Sequence, residues 1–233
     1  MLFVGNSFTF VNNLPAVFAA LGQANGFPVA TQMLVKSGAA LADRIADGSV
    51  ERLLTLQHYD YVVLQERAGS VLCDPRRANT VDSCEVSRRA HHDLANLALS
   101  RGAHPVLLGT YLSADLTQAL QTNERFLARE IDAIYVPVAD KLLLGAHEFP
   151  DLIWLAADGG HPGVDLTLLD AVLLYQAVFS ALPKTDALIV HGPIYDLSTV
   201  IFTLDWGTVR AARNEQVYDS GRVAHIVELA KQP

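Results

Sequence analysis

This 233-residue sequence has few of the features that indicate a charged polymer or a membrane as partner. Asp and Glu outnumber Lys and Arg by 25 to 17, which gives a formal net charge of -8, and the basic residues form no cluster. Nucleic-acid binding normally needs such a cluster to replace the counterions of the phosphate backbone. Apolar runs such as 153–157 and 171–174 are far shorter than the ~20 residues that span a bilayer. The sequence therefore predicts neither a nucleic-acid partner nor a membrane span, and it leaves the oligomeric state open.

Cysteine is also scarce. The two cysteines, Cys73 and Cys84, lie in one polar stretch and form neither a CxxC pair nor a cluster with histidine of the kind that binds zinc. We therefore expect no metal site. A short disulfide loop, if the protein is exported, and two free thiols both remain open as alternatives.

A signal segment is not visible before the first predicted strand, which begins almost at Met1. Such a segment would show a charged region followed by an apolar stretch. We expect either a cytoplasmic protein or, if a leader precedes residue 1, a secreted or periplasmic one.

Short apolar runs alternate with helical patterns, which is typical of βαβ units and of a parallel sheet with helices on both faces. With 51% hydrophobic residues, the chain can bury the core of a single domain over residues 1–233. Predicted strands, rich in Val, Ile, Leu or Tyr, cover 2–5, 29–35, 61–65, 105–110 and 134–138. Predicted helices cover 14–25, 41–56, 87–100, 116–131 and 164–182, with a loop over 144–163.

The last fifty residues, 184–233, form a C-terminal extension whose role the sequence does not reveal. We expect a strand at 187–190 and helical stretches near 209–217 and 222–231.

Ser7 follows the first predicted strand through the turn Gly5-Asn6 and precedes a helix. In a parallel sheet, ligands bind beyond the carboxyl ends of the strands. A serine there can expose its hydroxyl while nearby backbone N–H groups point at a developing oxyanion. The alternative is an ordinary turn, because Gly, Asn and Ser are common turn residues.

Asp158 and His161 lie three residues apart in the glycine-containing loop Asp-Gly-Gly-His-Pro at 158–162. At that spacing the carboxylate can bind the imidazole and fix its tautomer, so that the other ring nitrogen can take a proton from a serine. The alternative is a capping aspartate beside a surface histidine. Because this loop and Ser7 are expected at the same sheet edge, the three residues predict a catalytic triad.

The motifs together resemble those of the SGNH hydrolases, also called the GDSL family. Residues 3–9, Phe-Val-Gly-Asn-Ser-Phe-Thr, look like the family's first motif, and residues 158–162 look like its last. Residues 37–41, Ser-Gly-Ala-Ala-Leu, follow the second predicted strand as the family's oxyanion glycine does. The resemblance covers roughly residues 2–182 and implies a flavodoxin-like, three-layer α/β/α sandwich with a five-stranded parallel sheet.

Two positions depart from the family pattern. Asn6 stands where the family usually has Asp, and Gln65-Glu66 stands where it normally has Gly-x-Asn-Asp after the third strand. The pattern resembles a branch with Gly-Asn-Ser and a Gln-Glu pair. The Gln65 amide offers the same donor as the usual Asn, so we expect it to complete an oxyanion hole with the N–H groups of Ser7 and Gly38. The alternative is that Gln65 anchors the 67–82 loop.

The resemblance implies a serine esterase that forms an acyl-enzyme and needs no cofactor or metal. Its substrate would be a small-molecule or glycan ester, with carbohydrate acetylesterase as the narrower expectation. A lipase or thioesterase of the same type, or a non-catalytic ligand-binding module on the same scaffold, are the alternatives.

Other residues near the predicted site carry weaker signals. Tyr111 and Ser113 follow the fourth strand and are expected to line the cleft, unless they are ordinary loop residues. Trp154 is expected near the His161 loop, as a further substrate contact. The adjacent His91 and His92 are predicted to lie on a solvated helix face, because neighbouring helical residues point in different directions.

Overall fold

A five-stranded parallel sheet forms the centre of the computed structural model, which describes residues 1–73, 80–202 and 209–232. The strands are β1 (Leu2–Gly5), β2 (Gln32–Val35), β3 (Tyr61–Gln65), β4 (His104–Leu108) and β5 (Ile134–Val136). Their order in the sheet is β2-β1-β3-β4-β5, so β1 lies between β2 and β3. The carboxyl ends of β2, β1 and β3 therefore bring the residues after Val35, Gly5 and Gln65 to one edge.

Helices cover both faces of the sheet because successive strand residues point to opposite sides. The helices are α1 (Ser7–Phe10), α2 (Leu14–Ala24), α3 (Leu41–Ala46), α4 (Ser49–Leu56), α5 (Thr80–Ser100), α6 (Ala114–Glu130), α7 (Val138–Glu148) and α8 (Val164–Phe179). Phe3 and Val63 pack into a core with α2, α7 and α8, whereas Val4 and Leu64 pack into a second core with α3, α4 and α5. This arrangement confirms the predicted α/β fold.

Some observed elements begin or end at residues other than the predicted ones. The single helix predicted over 41–56 is two helices, α3 and α4, separated by Gly48 in the left-handed conformation at φ +63°. The loop predicted over 144–163 begins later, because α7 continues to Glu148. Cys73 and Cys84 are joined by a disulfide, one of the two alternatives that the sequence left open.

The C-terminal extension forms an antiparallel pair of strands and a helix. They are β6 (Leu188–Ile194), β7 (Arg213–Tyr218) and α9 (Ser220–Lys231). The expected strand at 187–190 and helix at 222–231 are confirmed, but the helix predicted at 209–217 is wrong. Residues 213–217 are extended because they pair with β6, an interaction with a distant segment that the local pattern does not contain.

His91 also differs from the sequence prediction. It lies on α5 with only 1% of its surface exposed, and its Nδ1 is 2.7 Å from the carbonyl oxygen of Ser87. The prediction of a solvated position is therefore wrong for His91, because that side of α5 packs against the sheet. Burial lowers the pKa of its imidazole.

Candidate active site

Ser7 is the first residue of α1, directly after the turn that ends β1. Asn6 caps this helix, since its side-chain oxygen accepts a hydrogen bond from the Phe8 N–H at 3.1 Å. Its amide nitrogen donates to the Ala39 carbonyl oxygen at 3.0 Å, which links the Ser7 turn to the loop after β2. An ionised aspartate has no N–H to donate to Ala39. Asn6 therefore supplies a bond that an aspartate at this position would not.

His161 connects Ser7 to Asp158 through its two ring nitrogens. Nε2 lies 2.9 Å from the Ser7 hydroxyl oxygen, and Nδ1 lies 2.5 Å from Asp158 Oδ2. The structure thus brings together the three residues that the sequence predicted as a triad. In this geometry Nε2 can take the serine proton while Nδ1–H donates to the carboxylate.

Asp158 is kept ionised by the loop that contains it. Its Oδ1 accepts hydrogen bonds from the backbone N–H groups of His161 and Gly160, both at 3.0 Å. These bonds, and the one from the imidazole, hold the pKa of the Asp158 carboxyl well below its usual range. Gly159 allows the tight turn because it has a φ of +68°. Asp158 is therefore an ionised carboxylate at neutral pH.

Two aromatic side chains, Tyr111 and Phe8, contact the loop that carries His161. The Tyr111 hydroxyl donates to the Gly160 carbonyl oxygen at 2.9 Å, and its ring stacks on Phe8 with 5.0 Å between centroids. Phe8 in turn makes an edge contact with the His161 ring at 5.7 Å. Only 8% of the Tyr111 surface is exposed, so most of the side chain is buried behind its contact with Gly160. Its predicted role as a substrate contact stays a prediction.

Asn12 joins the residues after Ser7 to the same loop. Its amide nitrogen donates to the Pro162 carbonyl oxygen at 3.0 Å and to the Thr167 hydroxyl at 3.1 Å. Asn12 and Asn13 both have positive φ, at 60° and 55°, a conformation that Asn tolerates better than most residues. The Asn-Asn pair is the sequence signal for this turn, whereas its link to the His161 loop has no local signal.

Arg222 fixes the start of α8, just after the His161 loop. It donates through Nη1 to both carboxylate oxygens of Asp165 at 2.9 Å, and Asp165 also accepts from the Ile153 N–H at 2.6 Å. The Asp165 side chain is fully buried. Because Arg222 belongs to α9, the C-terminal extension contributes to the support of the site. Nothing in the local sequence indicates this pairing across 57 residues.

Gly38 lies at the third position of a turn at the end of β2, beside β1. The turn is closed by a bond of 3.2 Å from the Ala39 N–H to the Lys36 carbonyl oxygen. Gly38 is exposed and has a φ of +67°, as a type II turn requires at this position. The turn is linked to Asn6 through Ala39, which places it next to Ser7.

Gln65 ends β3 and is 2% exposed. Its side-chain oxygen accepts from the Asn6 N–H at 3.0 Å and from the Thr9 hydroxyl at 2.9 Å, and its amide nitrogen donates to the Glu66 carbonyl oxygen. The structure therefore places Gln65 against the Ser7 turn, with one of its two amide hydrogens engaged by Glu66. A side chain at Gly5 would collide with it, since a Cβ there would lie 2.6 Å from the Gln65 oxygen.

Trp154 lies in the core behind the His161 loop. It is 6% exposed, and its indole N–H donates to the Phe149 carbonyl oxygen at 3.0 Å. Its ring packs against Gly145 of α7, where a Cβ would come within 2.6 Å of it. The expected substrate contact of Trp154 stays a prediction. Ser113 is exposed next to the start of α6.

Within the described residues, no group of three or more His, Cys, Asp or Glu side chains could hold a metal ion. Among the helices of the same residues, none has the length and apolar character needed to cross a membrane.

Comparison with known proteins gives matches only among solved structures. No protein-family model and no curated protein matches the chain. An acetylxylan esterase from Geobacillus stearothermophilus matches with a TM-score of 0.62 at 14% identity, covering 79% of this chain and 95% of that one. This chain shares its fold.

Two further structures agree. A GDSL-like lipase from Parabacteroides merdae matches with a TM-score of 0.58 at 17% identity over 77% of this chain and 95% of the other. TesA matches with a TM-score of 0.56 at 17% identity over 76% and 98%. These neighbours confirm the α/β fold, which is the fold that the resemblance to SGNH hydrolases implies. The narrower resemblance to a branch with Gly-Asn-Ser and Gln-Glu stays a prediction.

Proposed function

We propose that the chain is a serine esterase that hydrolyses carboxylic esters through an acyl-enzyme. The observation that carries this proposal is the continuous chain of hydrogen bonds from Ser7 through His161 to Asp158, at 2.9 and 2.5 Å. A serine, a histidine and a carboxylate in this order are the parts that nucleophilic acyl transfer requires. The fold shared with an acetylxylan esterase and a GDSL-like lipase supports the same reaction class.

In the first half of the reaction, His161 Nε2 removes the proton from the Ser7 hydroxyl as its oxygen attacks the ester carbonyl carbon. The carbonyl oxygen becomes the oxyanion of a tetrahedral intermediate. When the intermediate collapses, the bond to the alcohol oxygen breaks, and the imidazolium returns its proton to the leaving alcohol. Asp158 stabilises the imidazolium while it carries that proton.

In the second half, water attacks the acyl-Ser7 ester while His161 takes its proton. The bond to the Ser7 oxygen then breaks, the imidazolium returns the proton to Ser7, and the carboxylic acid leaves. The proposed oxyanion hole consists of the N–H groups of Ser7 and Gly38 and the second amide hydrogen of Gln65. Its support is their common position at the carboxyl ends of β1, β2 and β3. Donors fixed in this way stabilise charge that develops only in the transition state.

A small acyl group on a carbohydrate is the substrate class that we propose. The His161 and Asp158 side chains keep 31% and 40% of their surface exposed, so an ester on a bulky polar alcohol can reach the triad from solvent. One of the structural neighbours is an acetylxylan esterase. A lipase or a thioesterase of the same fold would instead need a long apolar cleft beside Ser7.

The test is hydrolysis of p-nitrophenyl esters from acetate to palmitate, followed by acetylated xylooligosaccharides, with Ser7→Ala as the control. We expect the largest kcat/KM with acetate and release of acetate from the oligosaccharide. A maximum at palmitate would favour a lipase. If the wild-type chain gave no more hydrolysis than Ser7→Ala, the chain would be a non-catalytic binding module.

A further inference from the structure

The turn that carries Gly38 is held by the C-terminal extension. The Ser37 N–H donates to the Ile201 carbonyl oxygen at 2.8 Å, and the Ile201 N–H donates to the Ser37 hydroxyl oxygen at 2.9 Å. Ser37 is thus bound through both its backbone and its side chain to one residue that lies 164 positions later in the sequence.

The Ile201 side chain is buried in the core. It is 1% exposed and belongs to a small core with Phe10, Val11, Val35 and Tyr195. The segment that leads to it, residues 193–202, is fixed at its other end to the Ser7 side of the site. There the Asn12 N–H donates to the Tyr195 carbonyl oxygen at 2.9 Å, and the Asn13 amide nitrogen donates to the Pro193 carbonyl oxygen at 2.7 Å. This segment therefore bridges the residues after Ser7 and the Gly38 turn.

Ser37 and Gly38 are the two central residues of the turn, so the contacts of Ser37 bear on the direction of the Gly38 N–H. In a four-residue turn, the hydrogen bond that closes it joins the first and fourth residues, here Lys36 and Ala39. The central peptide, between Ser37 and Gly38, takes no part in that bond. Type I and type II turns differ mainly in the orientation of this peptide. The direction of the Gly38 N–H therefore depends on how Ser37 is held.

We infer that Ser37 is a positioning residue for the oxyanion hole, and that Ile201 of the C-terminal extension fixes it by this pair of hydrogen bonds. The inference rests on the proposed function, because it assigns the Gly38 N–H to the oxyanion. It gives the extension a role in the reaction without contact with the substrate. The predicted effect is on the transition state, so kcat should change and KM should not.

The test compares Ser37→Ala, Ser37→Thr and Ile201→Val with the wild-type chain on p-nitrophenyl acetate. Ser37→Ala should lower kcat roughly three- to tenfold, the range that corresponds to one hydrogen bond, with KM within about twofold. Ser37→Thr keeps the hydroxyl and should retain most of kcat. Ile201→Val keeps both backbone bonds but loosens their anchor, so its kcat should fall between the two.

Ser198→Ala is the matched control, because it also removes a serine hydroxyl from the segment 193–202. That hydroxyl donates to Asp196 rather than to a residue of the Gly38 turn. It should behave like the wild-type chain. The rate at which a fluorophosphonate labels Ser7 is a second measurement, since phosphonylation uses the same oxyanion hole, and it should fall in parallel with kcat.

The outcomes separate this inference from the proposed function. If the wild-type chain hydrolyses the ester and Ser37→Ala matches Ser198→Ala in kcat and labelling rate, the positioning role is overturned and the esterase stands. If Ser37→Ala changes only the melting temperature, the pair is structural and the inference is also overturned. If the wild-type chain neither hydrolyses the ester nor is labelled at Ser7, the proposed function fails, and the role of Ser37 fails with it.

Discussion

Replacement of Gln65 by alanine should cost both stability and catalysis, because its amide binds the Ser7 turn and is also a proposed donor of the oxyanion hole. The Asn6 N–H would lose its acceptor in a position that is 2% exposed, which costs about 1–3 kcal/mol. Loss of buried methylene contacts adds about 1 kcal/mol. A total of about 2–4 kcal/mol should lower the melting temperature of a chain of this size by about 5–15 °C.

The catalytic effect should exceed what this destabilisation explains. If the second amide hydrogen of Gln65 donates to the oxyanion, Gln65→Ala should lower kcat by roughly a hundred- to a thousandfold, with little change in KM. Thr9→Val is the matched control. It removes another bond to the same Gln65 oxygen and should cost about 1 kcal/mol of stability, with kcat within about twofold.

The assays are urea denaturation for the free energy of unfolding and initial rates on p-nitrophenyl acetate for kcat and KM. A Gln65→Ala variant with native kcat but a reduced melting temperature would remove Gln65 from the mechanism. Gln65 would then be an anchor of the Ser7 turn alone.

Three further predictions concern the triad, the disulfide and a buried carboxyl. Ser7→Ala and His161→Ala should each remove nearly all esterase activity, and the double variant should be hardly worse than either, because the residues of a triad act as a unit; additive losses in kcat would contradict the triad. Reduction of Cys73–Cys84 should raise the mass by two hydrogens and, in the chain-entropy model, cost about 3 kcal/mol, so an unchanged melting temperature would contradict its stabilising role. Burial raises the pKa of Glu124 to about 7. The folded chain therefore binds a proton at the Glu124 carboxyl more tightly than the unfolded chain does. Up to about 3 kcal/mol of folding stability is present below pH 4.5 and is lost as the pH rises through 7. Glu124→Gln should flatten this pH dependence in denaturation curves.

Much of the fold could be predicted because the strands of a buried parallel sheet are short and apolar. The strands at 2–5 and 61–65 were predicted with the observed bounds, since both are continuous apolar runs that end in Gly or a polar residue. The residues of the proposed triad could be identified for a related reason. Asp158 and His161 are close in sequence, and Ser7 directly follows a strand whose carboxyl end locates the site.

The contributions of the C-terminal extension could not be predicted in the same way. Ile201 binds Ser37 across 164 residues, and Arg222 binds Asp165 across 57. Neither pair has a local pattern, because each depends on how the whole chain packs. The local pattern at 209–217 predicts a helix, but residues 213–218 form β7 because they pair with β6.

The side-chain orientation of Gln65 could not be predicted from the sequence for a different reason. Its place at the end of β3 followed from the sequence, but the direction of its amide did not. The orientation depends on the Asn6 N–H and the Thr9 hydroxyl, which both donate to the same side-chain oxygen. Which hydrogen-bond partners a buried amide selects is decided by three-dimensional contacts.

The central claim is that Ser7 is a nucleophile activated by His161. Its most direct test is incubation of the wild-type chain, Ser7→Ala and His161→Ala with a fluorophosphonate, followed by mass spectrometry of the intact chain and of its peptides. We predict one phosphonyl adduct on the wild-type chain, located on Ser7, no adduct on Ser7→Ala, and labelling of His161→Ala that is slower by several orders of magnitude. A wild-type chain that stays unlabelled, or an adduct on a residue other than Ser7, would contradict the account.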